Sequence, residues 1–119
     1  MKFLALCIAA LLPLAAVAQD GATTGTGAVL RGLEKVSGDV FDIPLAPGEQ
    51  ARLGPLTIEM AQCRYPQGDP AADAFAFLTI RDEGQDSPIF SGWIIASSPA
   101  LNALDHPRYD VWVLRCRIE

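Results

Sequence analysis

Apolar and polar positions alternate in short runs along residues 29–118, each run closed by Gly, Pro, Asp or Ser, and no long stretch keeps a helical period. The runs predict strands over 29–36, 40–45, 49–53, 56–64, 75–81, 89–96 and 109–118. Within 40–45, Phe41, Ile43 and Leu45 share a face, and Pro47-Gly48 and Gly54-Pro55 force turns. The stretches 65–73 and 82–88 are too rich in Pro, Gly and Asp for regular structure and read as loops. Residues 75–81 begin apolar on both faces, the pattern of a central strand. One helical signal stands out, residues 98–104, where Ser98 suits the N-cap and Pro99 the first helical position. About seven short strands in one domain over 29–119 predict an all-β fold, a small antiparallel β-sandwich or partly open barrel.

The N-terminus has a different pattern. Lys2 precedes the apolar run Phe3 to Leu12, Pro13 breaks it, and Ala16-Val17-Ala18 supplies the small residues a signal peptidase requires. Residues 1–18 therefore read as a cleaved signal peptide, with cleavage between Ala18 and Gln19 and a periplasmic destination. The stretch is shorter than the roughly 20 apolar residues of a membrane span, so no transmembrane segment is expected after cleavage. Residues 19–28, small and polar without periodicity, are expected to form a flexible leader.

Charge narrows the partners. The chain has nine basic and fourteen acidic residues, and losing Lys2 with the signal peptide takes the net charge from −5 to −6. With its seven arginines scattered, the domain has no basic patch, which argues against nucleic acid and anionic membrane surfaces. Cleavage also removes Cys7 and leaves two cysteines, which in an oxidising compartment allow one pairing, Cys63 with Cys116. Strand parity sharpens that pairing. On the last strand Trp112, Leu114, Cys116 and Ile118 share a face, expected to be the core face. On the 56–64 strand Leu56, Ile58 and Met60 share a face that Cys63 does not, so a β-bulge or strand end between Met60 and Cys63 is predicted.

The most distinctive stretch is Gly92-Trp93, then Ala96-Ser97-Ser98-Pro99-Ala100-Leu101, then His106-Pro107 and Tyr109-Asp110-Val111-Trp112. With Leu30-Arg31-Gly32-Leu33-Glu34-Lys35, Gly54-Pro55-Leu56 and the two cysteines, it resembles a family of small exported alphaproteobacterial proteins, domain of unknown function 2155. The resemblance runs from about Val29 to Cys116. It implies an exported bacterial domain and carries no assigned activity, so no functional residue transfers.

The chemistry is read from the residues themselves. Ser97 or Ser98 with His106 and Asp105 or Asp110 supplies the residue types of a serine hydrolase, but there is no G-x-S-x-G elbow and Ser98-Pro99 has the form of a helix cap. Asp105, His106 and Asp110 have no spacing that fixes a metal geometry, and the loop carboxylates Asp69, Asp73, Asp82, Glu83 and Asp86 lack the spacing of a calcium loop. Neither a cofactor nor a metal is expected. Trp93, Trp112 and Tyr109 have the residue types of a sugar or peptide groove, but both tryptophans sit in apolar strands and are expected in the core, with the Tyr109 hydroxyl outward. What remains is a non-enzymatic binding or assembly domain that meets a cell-envelope protein through the 96–110 segment, with Ser97, Ser98, Asp105, His106, Tyr109 and Asp110 as its candidate surface. A small inhibitor of an envelope enzyme and a Ser/His hydrolase are the alternatives. A plug closing one end of the fold is the structural explanation of the same segment.

Overall fold

The computed structural model describes residues 21–119, so the expected signal peptide and the cleavage site at Ala18 and Gln19 lie outside the described residues. The described residues form eight strands: β1 (Ala22–Thr24), β2 (Gly27–Glu34), β3 (Val40–Leu45), β4 (Gln50–Leu53), β5 (Leu56–Pro66), β6 (Phe75–Asp82), β7 (Phe90–Ile95) and β8 (Tyr109–Arg117). All pairings are antiparallel. One sheet runs β1-β5-β6-β7, with β4 also on β5, and the other runs β3-β2-β8. The two sheets face each other as a sandwich and do not close into a barrel. Between them lie Ala28, Leu30, Ile43, Leu45, Leu56, Ile58, Met60, Leu78, Ile80, Ile94, Val111 and Val113, the inward half of each alternating strand.

Residues 21–28 correct the expectation of an irregular leader. β1 lies along the far half of β5, with Thr23 opposite Tyr65, and this pairing draws β5 on to Pro66, into the stretch expected as loop. The chain then crosses to the other sheet at Gly25 and Thr26, whose amides donate to the carbonyls of Cys63 (2.7 Å) and Arg117 (2.8 Å). A side chain at Gly25 would meet the Arg117 carbonyl at 2.7 Å and Cys116 Cβ at 3.1 Å, so only glycine fits this crossing.

Two bulges bring the cysteines together. On β5, Met60 faces Leu78 and Gln62 faces Phe77, so Ala61 is the extra residue, and Cys63 turns inward as the parity argument requires. On β8 the inward face is Tyr109, Val111 and Val113, not the expected Trp112 and Leu114. Val29 faces Arg115 and Leu30 faces Val113, so Leu114 is extra, and this second shift turns Cys116 inward. The disulfide joins Cys63 to Cys116 across the two sheets, with Cα atoms 5.6 Å apart and both residues buried.

The helix expected over residues 98–104 is a single 3-10 turn, Pro99–Leu101. The Ser98 hydroxyl does not cap it; the Leu101 amide donates to the Ser98 carbonyl instead (3.0 Å). Asn102 ends it in extended geometry because its side-chain amide is engaged on β7, where it donates to the Trp93 carbonyl at 3.0 Å.

Candidate functional site

The connection from β7 to β8 runs the length of the sandwich as a strap over the seam between these two edge strands, and its anchors decide what its residues are free to do. It starts beside Asp73. The Ser97 hydroxyl donates to Asp73 Oδ2 (2.7 Å), and the Ser97 and Ala74 amides donate to Oδ1 (2.9 and 2.8 Å). It ends beside β2, where the Lys35 ammonium donates to the His106 carbonyl (2.8 Å) and Arg108 reaches Glu34 (3.4 Å). Between the anchors Leu104 enters the core at 5% exposure, while Leu101 stays outside at 73%.

Ser97 and His106 serve opposite ends of the fold. Ser97 is bonded to Asp73, just before β6, and the His106 ring lies 3.5 Å from Asp82, the last residue of β6. Nine residues of extended chain separate those carboxylates by about 30 Å. The two residues therefore form no nucleophile-base pair. His106 Nδ1 accepts from the amides of Arg108 (3.0 Å) and Tyr109 (3.2 Å), so the proton of the neutral ring sits on Nε2, on the Asp82 side. The ring thus acts as a clamp on the strap's last turn. Among the described residues no group of three His, Cys, Asp or Glu side chains is placed to hold a metal ion.

Tyr109 also differs from its expected place. It is only 6% exposed, and its hydroxyl packs against the backbone of Gly54 instead of pointing outward. The β8 register explains this, since Tyr109 shares the inward face of Val111 and Val113. Of the candidate surface residues, Asp105 and Ser97 are exposed, Ser98 is half-buried, and Asp110 is half-buried with Oδ1 accepting from the Val111 amide (2.9 Å). Asp110 lines a cleft of about 410 Å³ with Trp112 of β8 and Pro99, Ala100 and Ala103 of the strap. Sequence reasoning missed this cleft because it placed Trp112 in the core. Trp93 is a second miss, lying 37% exposed on the outer face of its sheet.

Burial acts to raise the Asp73 carboxyl, but the Ser97 hydroxyl and the Ala74 and Ser97 amides together outweigh it and hold the group below its ordinary value. A carboxyl lowered by folding stabilises the fold fully above its ordinary value of 3.8 and loses that contribution as the pH falls through the lower folded value. Asp73→Ala is expected to cost about 2 kcal/mol at neutral pH, from the amides and hydroxyl left without an acceptor. Melts from about pH 6 to pH 2 should show its gap to wild type narrowing below about pH 4; a constant gap would contradict the assignment.

Comparison with known proteins gives the lineage. A family model described as "Uncharacterized protein conserved in bacteria (DUF2155)" matches residues 28–116. The chain belongs to this family. A curated relative, an uncharacterized protein of Rickettsia prowazekii (strain Madrid E), is 26% identical over 87 residues, covering 71% of this chain and 56% of the relative. The match thus spans about half the relative's length. No solved structure matches the chain. The DUF2155 match begins at Ala28 on β2 and ends at Cys116, so it takes in both bulged strands, both cysteines and the whole strap.

Proposed function

We propose that this DUF2155 chain is an exported, periplasmic domain that binds a protein of the cell envelope through the 96–110 segment, without catalysis. The observation that carries this reading is the cleft between the strap and β8, where the Asp110 carboxylate stands two residues along one strand face from the Trp112 indole and the exposed Leu101 lies on the adjoining turn. A carboxylate beside an indole favours a lysine or arginine side chain, which gains an ion pair and a cation–π contact at once. The net charge of −6 left after cleavage steers a basic partner segment toward it. Most of the strap's polar groups are spent on anchoring it, so the partner meets the cleft and Leu101, not the serines or His106.

The test places a photoreactive residue at Ala103, on the exposed rim of the cleft, in the full-length protein in its native envelope. A discrete protein adduct is expected, reduced at least about tenfold by Asp110→Lys, which puts a like charge against the partner's basic group. An adduct equally strong with Asp110→Lys, or no more adduct than from the same residue at Asp86 in the exposed loop before β7, would overturn the reading.

A further inference from the structure

The two outer faces of the sandwich differ in kind. On the β3-β2-β8 sheet, Arg31 and Asp42 are cross-strand partners joined at 2.8 Å, an ordinary solvated ion pair. The mutual hydrogen bond raises the arginine and lowers the carboxyl from their usual values. On the other sheet, the outward positions are Phe75 and Phe77 of β6 and Trp93 and Ile95 of β7, paired directly across the strands. A sheet face turned to water normally alternates apolar inside with polar outside, and this one does not.

We propose that this face is a binding platform for a neutral glycan, with Trp93 as the stacking ring. The Trp93 and Phe77 rings stand edge to face, 5.4 Å apart at 78°, so an indole left 37% exposed is held in one orientation before any ligand arrives. The register then sets polar groups around it. Gln62, Phe77 and Trp93 form one straight row across three strands, and the adjoining row is Glu59, Thr79 and Ser91. The bulge at Ala61 makes this possible, because the shift that turns Cys63 inward also turns Gln62 outward beside Phe77. Beside the row, Ala22, Arg64, Phe75, Trp93 and Ile95 line a shallow hollow of about 390 Å³, within the range of small-molecule sites.

A sugar ring is amphipathic in the same way as this face. Its C–H face stacks on an aromatic ring, while its rim of hydroxyls needs planar acceptors and donors such as the amide of Gln62, the carboxylate of Glu59 and the hydroxyls of Thr79 and Ser91. Neither Gln62 nor Glu59 spends its side chain on a bond to another described residue, which leaves both for hydroxyls.

The protein has two tryptophans, so Trp112→Phe leaves Trp93 as the sole indole reporter. Its emission is titrated with cellohexaose, maltohexaose and chitohexaose. A saturable change with at least one of them is expected, weakened at least about tenfold by Gln62→Ala. In affinity electrophoresis on the matching polysaccharide, Trp93→Ala should lose retention and Trp93→Phe keep part of it, with unchanged melting temperatures. No saturable change with any of the three sugars would overturn the proposal. So would equal binding by Trp93→Ala, or a concentration-dependent dimer that Trp93→Ala abolishes, which would assign the face to self-association.

Discussion

Replacing Cys63 and Cys116 together by alanine is expected to lower the stability of the domain by about 4 kcal/mol, the unfolded-state entropy released when a closed loop of this length opens. The disulfide spans a sequence separation of 53 residues and ties β5 of one sheet to β8 of the other, so its loss frees the two layers from each other and not only two neighbouring strands. For a domain of this size that corresponds to a fall in melting temperature of about 15–30 °C. Cavity terms from two buried sulfurs act in the same direction. Thermal or urea unfolding of the double variant checks this, and a loss under about 1 kcal/mol would mean that the bulged strands hold their positions without the covalent link.

Gly54→Ala is expected to cost about 3 kcal/mol, large for the addition of one methyl group. Gly54 sits between β4 and β5 at φ +57, a conformation that side chains with a Cβ adopt with strain. The new Cβ would also come within 2.6 Å of Tyr109 Cζ and still closer to its hydroxyl. Tyr109 is buried, so it has nowhere to go without moving the strap's C-terminal anchor, where the His106 ring packs on it at 5.5 Å and approaches Asp82. Because the hydroxyl makes the closest contact, Tyr109→Phe should relieve part of the penalty. A double-mutant cycle is expected to show a favourable coupling of about 1 kcal/mol, and strict additivity would contradict the contact.

The sequence was legible where a local rule acts alone. Strand positions follow from alternation and turn residues, and β3, β4, β6 and β7 fall within a residue or two of their expected limits. The bulge before Cys63 could be deduced because Met60 and Cys63 demand opposite parities on one strand. β8 shows the limit of that reasoning. Its two faces are both apolar, Val111 and Val113 against Trp112 and Leu114, so alternation alone could not say which turns inward. The partner strand decided it, through the shift at Val29 and Leu30.

The site was harder to read for a related reason. Phe75 and Phe77 look like a central strand's second buried face, and β6 is indeed central, yet in a sandwich the second face of a central strand meets water. Trp93 follows Phe77 outward by register, which no property of its own neighbours in sequence reveals. The serines and His106 failed in the opposite direction. They carry the residue types of catalysis, but Ser97 bonds Asp73 just before β6 while the His106 ring lies against Asp82 at its far end, and those long-range partners are visible only in the fold. β1 was missed because two threonines and an alanine beside glycines give no periodic signal, and only the exposed edge of β5 makes them a strand.

The binding reading and the disulfide both require that the chain leave the cytoplasm and oxidise. The intact mass of the protein isolated from its native cells tests that requirement most directly. The expected species starts at Gln19, with or without cyclisation of that glutamine, and is two hydrogens lighter than the dithiol form. A retained Met1, or free thiols at Cys63 and Cys116, would contradict it.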